Sequence, residues 1–195
     1  MENQPQDSNN PLTLDLKIVG FSQKILHIHE AGKYDLELNQ NTTLHDLILI
    51  LSGLKKTNKT QNQDILLNGI SINEDRIVAK FIQKNAVFLT KNTFFCNHTT
   101  LQNNLKMISL MYKCYDLSNA VIHSFMFNDI EKTNINTLSQ TQLDLMILSY
   151  VVACPALIWF IDKELISILT DEQKLIFENA VKIRIKQGGV CVFCN

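Results

Sequence analysis

The chain has 195 residues, 46% of them hydrophobic, so it is long and apolar enough to bury one sizeable core, and wholesale disorder is excluded. A formal net charge of −1 gives no sign of a nucleic-acid or membrane-surface binder. The five cysteines are odd in number and mostly far apart, which is not the pattern of a disulfide framework and fits a reducing compartment.

The first eleven residues are polar and are predicted to form a disordered lead without the features of a signal peptide. After this lead, short stretches of alternating or apolar residues predict strands. These stretches are residues 12–21, 24–29, 33–38, 64–67, 70–72 and 85–90. The pair Asn68-Gly69 joins two of them and predicts a type I′ hairpin turn.

One helix is predicted within this strand-rich part, from Thr43 to Leu51. Either Thr42 or Thr43 suits its N-cap, and Gly53 suits the position just beyond its end. Its apolar face is expected to consist of Leu44, Leu47, Ile48 and Leu51. A strand, a polar loop and then a helix is the setting in which proteins hold phosphates, so the loop before this helix is the first candidate site.

The second half of the chain predicts helices followed by a strand–helix–strand unit. A helical pattern runs from about residue 99 to residue 127, and the stretch SQTQLDLMILSYVVA predicts a helix that ends before Pro155. The apolar run ALIWFI predicts a strand in the middle of a parallel sheet. Thr170 and Gln173 form a capping-box pattern at the start of the next helix, and VCVFC is predicted to be a final buried strand.

The order of these elements predicts one α/β domain over residues 12–195. Its sheet is expected to be mixed, with an antiparallel β part at the N-terminus and a helical insertion at about residues 99–153. No transmembrane helix is expected, because the longest apolar run, Met146–Ile161, is shorter than roughly 18 residues and contains Pro155.

Two pairs of residues of metal-ligating type are interpreted as structural. Cys191 and Cys194 form a C-x-x-C pair, but a zinc site needs four ligands, and GGVCVFC alternates like a buried strand. His27 and His29, in ILHIHEAG, are expected to lie on the same face of a strand rather than to bind a metal.

Several short motifs occur in a fixed order: the strand KYDLEL, a helix ending in SGL, then DILLNG, LQNNL, LSQTQ and ALIWFID. Across residues 12–195 this series resembles the nucleotide-binding subunit of ABC transporters, from the phosphate-loop strand to the signature and the Walker B strand. The resemblance implies a P-loop NTPase fold of the ABC nucleotide-binding-domain type. PALIWFIDK and QGGVCVF are most similar to the ATP-binding subunit of the haem exporter of cytochrome c maturation.

The family's phosphate loop reads G-x-x-G-x-G-K-[ST]-[ST], and LNQNTTLHD lies on it. The glycine positions hold Leu38, Asn41 and Thr43, the lysine position holds Leu44, and the hydroxyl positions hold His45 and Asp46. Glycine lets the backbone approach phosphate, lysine reaches the β- and γ-phosphates, and the hydroxyl holds magnesium, so the resemblance implies a loop without this chemistry. If nucleotide binding is retained, the resemblance assigns it to Asn39, Asn41, Thr42, Thr43, Leu44, His45, Asp46, Asn92 and Ser139.

The other family motifs also depart from the pattern. Lys163 stands where the catalytic glutamate polarises water, so no catalytic residue is expected. Asp162 is the candidate magnesium ligand and equally suits a helix or turn cap. Ser139 retains the signature serine without its two glycines, and Asn92 takes the glutamine-loop position.

The resemblance therefore implies a catalytically degenerate ABC ATPase-like subunit, a pseudo-ATPase. It would be a structural or assembly component of a membrane-associated complex related to haem export and cytochrome c maturation. No cofactor is expected. Its partners would be the membrane subunits of that complex, with a homodimer as an option and no nucleic acid. Its location would be peripheral on the inner membrane, on the matrix side of a mitochondrion or the cytoplasmic side of a bacterium.

Three alternatives stay open at this point. The chain is a divergent but active ATP-binding subunit that uses ATP and magnesium, or it is a non-enzymatic interaction module recruited to another large assembly. The third alternative is a ubiquitin-like interaction domain in the first 90 residues. That alternative fails if the strand at residues 156–161 pairs beside the strand at residues 33–38 in one sheet.

Overall fold

A computed structural model describes residues 14–40, 42–58, 62–89, 98–111, 130 and 132–195. The predicted lead over residues 1–11, together with Asn41 and Asn92, lies outside the described residues. The strands are β1 (Leu16–Val19), β2 (Leu26–Ile28), β3 (Gly32–Leu36), β4 (Asp64–Leu67), β5 (Ile70–Ser71), β6 (Ala86–Leu89), β7 (Ile158–Asp162) and β8 (Val190–Cys194). The α-helices are α1 (Leu44–Leu51), α2 (Arg76–Asn85), α3 (Leu101–Met111), α4 (Gln140–Ala153), α5 (Lys163–Ser167) and α6 (Asp171–Lys186).

Two four-stranded sheets form the framework of the described residues. The first sheet has the order β2-β1-β4-β5, and its neighbouring strands are antiparallel. The second sheet has the order β3-β8-β7-β6, and its neighbouring strands are parallel. This α/β architecture, with its antiparallel part built from N-terminal strands, confirms the predicted fold class.

The two middle strands of the parallel sheet, β7 and β8, are buried on both faces. Trp159 and Ile161 lie in one hydrophobic cluster, which includes Phe177 of α6. Phe160 lies in a second cluster on the opposite face, which includes Leu47 of α1 and the interior of the antiparallel sheet. Because both faces are covered, these strands are apolar at successive positions. The prediction that ALIWFI forms a middle strand is confirmed.

The predicted helix caps are present. Thr43 caps α1 and Thr170 caps α6, each within a capping box whose third residue bonds back to the cap backbone. The C-cap of α1 is Ser52, so Gly53 follows the helix end as predicted. The buried residues of α1 are Leu47, Ile50 and Leu51. Ile48, which the sequence places on the apolar face, is only partly buried, and Ile50 is buried in the second cluster.

Helices α2 and α5 are not predicted from the sequence. α2 begins at Asp75, whose carboxylate accepts hydrogen bonds from the N–H groups of Ile77 and Val78, and the helix buries Val78 and Ile82. Two buried positions four residues apart give only a weak helical period, which is why the sequence does not predict this helix. α5 has five residues and follows β7 directly, so it is too short to show a helical period.

The C-x-x-C pair does not form one site. Cys191 lies in the cluster that contains Trp159, whereas Cys194 lies in the cluster that contains Leu36, because residues three apart on a strand point to opposite faces. Burial raises the pKa of both thiols to about 12. Both side chains are therefore protonated and pack as small apolar groups, in agreement with the structural interpretation.

The sheet order rules out a separate ubiquitin-like unit in the first 90 residues. β3 and β7 belong to the same sheet, with β8 between them. The two strands that the first 90 residues give to this sheet, β3 and β6, are its opposite edges and do not contact each other as strands. β7 does not pair directly beside β3 as that test required. Because the edges of this sheet come from the first 90 residues and its middle strands are β7 and β8, those 90 residues do not form a separate ubiquitin-like unit.

We expect the Gly20→Ala substitution to destabilise the protein more than Gly69→Ala. Both glycines have left-handed backbone, with φ of +78° and +79°. A Cβ at Gly20 would lie 2.5 Å from the carbonyl oxygen of Asn62, whereas at Gly69 no atom lies within 4 Å. The Gly69 variant should lose about 1 kcal/mol, from backbone strain alone, and the Gly20 variant about 1–3 kcal/mol more.

Urea unfolding of both variants and of the wild type measures these losses. Equal losses of unfolding free energy for the two variants would show that a Cβ at residue 20 does not clash with the backbone of Asn62.

Candidate nucleotide site at the start of α1

The loop between β3 and α1 lies at the carboxyl edge of the parallel sheet. β3 ends at Leu36 and pairs with β8 up to Cys194, where β7 also ends. Ligands of open α/β sheets bind in the crevice outside the carboxyl ends of the strands. The loop LNQNTTLHD is therefore at the position where this type of sheet holds a ligand.

The first turn of α1 is closed by the chain's own side chains. The hydroxyl of Thr43 accepts a hydrogen bond from the Asp46 N–H at 3.1 Å. The carboxylate of Asp46 in turn accepts from the Thr43 N–H at 3.2 Å and from the Thr43 hydroxyl at 2.8 Å. A helix N-terminus has a partial positive charge, and here a carboxylate lies against it.

Lys55 completes this closure from the far end of α1. Its ammonium group lies 2.8 Å from Oδ1 of Asp46, and both side chains remain partly exposed. The hydrogen bonds from Lys55 and Thr43 lower the pKa of Asp46 from its ordinary value of 3.8 to about 2. Asp46 is therefore a carboxylate at every physiological pH.

Two further described residues of this loop, Asn39 and Thr42, are held by hydrogen bonds to other parts of the protein. The Asn39 N–H donates to the Phe21 carbonyl at 2.8 Å, and the Asn39 side chain donates to the Gly20 carbonyl at 3.3 Å. Thr42 is buried, and its hydroxyl accepts from the Gln63 side chain at 3.5 Å.

Of the two remaining predicted site residues, Leu44 is partly buried and His45 is exposed. Leu44, at the lysine position of the resembled motif, packs against the second hydrophobic cluster. His45 is exposed to solvent. Neither residue supplies the lysine ammonium group that the resembled motif has in this loop.

A cavity of about 480 Å³ opens between this loop and the turn after β1. The charged residues in its wall are Lys24, Asp35 and Glu37. Asp35 is also paired with Lys163, so these groups balance and the cavity wall offers no excess of positive charge to a triphosphate.

Asp162 and Lys163 lie at the end of β7, beside this loop's sheet edge. The Asp162 carboxylate accepts from the Glu164 N–H at 2.9 Å and caps α5. The Lys163 ammonium group lies 2.9 Å from Asp35 of β3 and 2.9 Å from the side-chain oxygen of Asn195. Lys163 therefore ties together the ends of β7, β8 and β3.

Ser139 caps helix α4. The Gln142 N–H donates to its hydroxyl at 3.3 Å, and the Gln142 side chain accepts from the Ser139 N–H at 2.8 Å. This reciprocal pair is a capping box of the S-x-x-Q type. The signature serine of the resembled family thus has a local structural role in this chain.

Among the described residues, no group of three or more His, Cys, Asp or Glu side chains is arranged to hold a metal ion. The His27 and His29 rings lie 5.3 Å apart on one side of β2, as the sequence predicts. His27 Nε2 is 2.8 Å from the Asp15 carboxylate, so the ring is held in a hydrogen bond.

Sequence reasoning missed Lys55, Asp35 and Asn195 as contributors to this region. The capping partner Asp46 follows Thr43 by three residues, so T-x-x-D was a readable signal for the closed helix start. The long-range pairs Lys55–Asp46 and Lys163–Asp35 carry no local signal, because they depend on tertiary placement.

The fold is similar to that of solved ATP-binding subunits of ABC transporters. An ABC transporter ATP-binding protein from Pyrococcus furiosus has a TM-score of 0.64 and 15% identity, covering 93% of this chain and 90% of that chain. An ATP-binding subunit of an ABC transporter has a TM-score of 0.70 and 11% identity, covering 93% and 79%.

A third similar structure is a dimeric ATP-binding cassette in a post-hydrolysis state bound to ADP and Pi. Its TM-score is 0.67 at 13% identity, and the match covers 92% of this chain and 87% of that chain. No protein-family model and no curated protein sequence matches the chain. The chain therefore has the fold of ABC transporter ATP-binding subunits.

We expect the Asp46→Asn substitution to cost about 1 kcal/mol of unfolding free energy at pH 7, because it removes the charged partner of Thr43 in the capping box at the positive end of the helix. The folded-state pKa of Asp46 lies below the unfolded value, so its stabilisation is present above pH 3.8 and is lost as pH falls towards about 2. The difference between wild type and variant should shrink over that interval, as measured by urea unfolding at a series of pH values.

Gln173→Ala is the matched control, because the capping box of α6 uses a neutral side chain. The difference in unfolding free energy between this variant and the wild type should be the same at pH 7 and at the lowest pH of the series. A constant difference for the Asp46 variant would contradict the assigned role of its charge.

Proposed function

We propose that the chain is a catalytically degenerate ABC ATPase-like subunit, a pseudo-ATPase that acts as a structural or assembly component of a membrane-associated complex. The closed start of α1 carries this proposal. The N-terminus that would hold a triphosphate has Asp46 bonded to Thr43 and Lys55 instead. The residues present therefore do not fit ATP and magnesium at this loop.

The electrostatic cost supports this reading. A phosphate oxygen placed about 4 Å from an unpaired carboxylate would be repelled by roughly 4 kcal/mol at an effective dielectric constant of about 20, and at Asp46 the ion pair with Lys55 offsets part of this repulsion. Lys55 is the one cation that contacts this carboxylate among the described residues, and it lies 2.8 Å from Oδ1. Moving it to a phosphate would leave the carboxylate without its ion pair.

The position of the catalytic base gives a second line of support. Lys163 is a cation bonded to Asp35, and a protonated amine has no lone pair to accept a proton from water. Phosphoryl transfer depends on positioning and charge stabilisation. The lysine, the glutamate and the signature glycines are replaced together. Of the matching positions that keep a suitable side chain and that the structure describes, Asp162 caps α5 and Ser139 caps α4.

The membrane-associated setting rests on sequence resemblance. PALIWFIDK and QGGVCVF resemble the haem exporter's ATP-binding subunit, and we propose that the partners are membrane subunits of a complex related to haem export and cytochrome c maturation. Among the described helices, none is both long and apolar enough to cross a bilayer. We therefore propose a peripheral position on the inner membrane, on the matrix or cytoplasmic side.

We expect no magnesium-dependent binding of ATP to the full chain by isothermal titration calorimetry at millimolar nucleotide. The ATP-binding cassette whose ADP-bound structure is similar to this chain is the positive control under the same buffer. Tight, magnesium-dependent binding would contradict the pseudo-ATPase proposal and favour the divergent but active ATP-binding subunit.

The partner proposal has its own test. The chain, tagged in its native cells and isolated from detergent-solubilised membranes, should bring with it a protein with several transmembrane helices. Recovery of the chain only with a large assembly that lacks such a subunit would favour the interaction-module alternative.

A further inference from the structure

The outer side of α2 and the segment after α1 form one continuous surface. The Gln83 side chain donates to the Ser52 carbonyl at 3.1 Å, and the Asn73 side chain donates to the Thr57 hydroxyl at 2.5 Å. These bonds lie at opposite ends of α2, so residues 52–57 run alongside the helix. We name this surface the α2 face; its exposed residues are Leu54, Lys55, Lys56, Arg76, Ile77, Lys80, Gln83 and Lys84.

The cations of the α2 face are aligned and mostly uncompensated. Arg76, Lys80 and Lys84 follow at intervals of four residues, which places them on one side of the helix. In the part of the chain that the structure describes, none of the three forms a salt bridge, and neither does Lys56. Their charge is therefore available to a partner.

Few acidic side chains lie near the α2 face. One of them is already in an ion pair, and the others lie at the N-terminal end of α2. Asp46 is paired with Lys55. Asp75 caps the N-terminus of α2 with its carboxylate, and Glu74 precedes it. The excess positive charge of this face therefore lies near Lys80 and Lys84. The formal net charge of −1 for the whole chain does not reveal this local excess.

Two apolar side chains stand out beside these cations. Leu54 is 79% exposed and Ile77 is 77% exposed, the highest values among the large hydrophobic residues that the structure describes. Nucleic-acid phosphates would account for the cations but not for these side chains. A basic surface with protruding apolar groups is the combination that binds at a membrane interface.

We propose that the α2 face binds the surface of an anionic lipid bilayer. Anionic headgroups neutralise Lys56, Arg76, Lys80 and Lys84, and Leu54 and Ile77 enter the boundary between headgroups and acyl chains. The inference deepens the proposed peripheral membrane location and rests on it. It does not depend on whether the phosphate loop binds ATP.

Vesicle co-sedimentation of the full chain tests the proposal. Vesicles of phosphatidylcholine mixed with phosphatidylglycerol should bind the chain, and vesicles of phosphatidylcholine alone should not. The triple variant Arg76→Gln, Lys80→Gln, Lys84→Gln should lose about tenfold or more in partitioning. The control variant Lys174→Gln, Lys182→Gln, Lys186→Gln removes the same charge from α6 and should bind like the wild type.

The apolar side chains have a matched control of their own. Leu54→Ser with Ile77→Ser should weaken binding, whereas Leu175→Ser with Ile183→Ser, at two exposed positions of α6, should not. All variants are compared by circular dichroism, and only those that fold like the wild type are scored. Binding should also fall with added salt.

Three results would overturn the proposal. They are the absence of wild-type binding to anionic vesicles, equal losses for the α2 and α6 variants, and binding to duplex DNA that depends on the cations but not on Leu54 and Ile77. A negative result in the vesicle experiments would contradict the lipid-binding proposal without affecting the pseudo-ATPase proposal. Magnesium-dependent ATP binding would remove the pseudo-ATPase proposal and leave the lipid surface standing.

Discussion

The carboxylate of Asp46 at the start of α1 is the interaction on which the interpretation of this protein depends. The N–H groups of a helix's first turn need acceptors, and in this fold class a bound phosphate can supply them. Here Thr43 and Asp46 supply acceptors from within the chain, and Lys55 fixes the carboxylate in place. The Thr43 and Asp46 N–H groups therefore have acceptors without a ligand, and the Asp46 carboxylate with its Lys55 partner lies at the start of the helix.

In the parallel sheet, the residues that pack in the core differ from the polar residues at the ends of the strands. Positions that fill the core keep the residue types that the fold needs: Phe160 and Trp159 in β7 are fully buried on opposite faces. The polar side chains at the carboxyl edge of the sheet, and Ser139 elsewhere, make structural contacts. Lys163 joins three strand ends through Asp35 and Asn195, and Ser139 caps a helix. The fold's stability therefore rests on contacts that do not require a nucleotide.

Much of the fold was predictable because its signals are local or periodic. The apolar run of β7, the Asn68-Gly69 turn and the capping box of Thr170 each specify their element within a few residues. α5 was missed because five residues carry no period. At the site, the absence of glycine and lysine from residues 38–46 could be read from the sequence, but the Lys55–Asp46 pair could not. That pair joins the two ends of α1 and exists only once the turn at Gly53 has folded back.

The most direct measurement is a titration of pyrophosphate into the isotope-labelled full chain, with the amide signals of Thr43, Asp46 and Leu47 followed by NMR. If the helix start is closed by its own carboxylate, these signals should stay in place with or without magnesium, while the Asp46 carboxyl titrates near pH 2. Large, saturable shifts of the three amides on addition of pyrophosphate would mean that the loop binds phosphate, and the central claim would be contradicted.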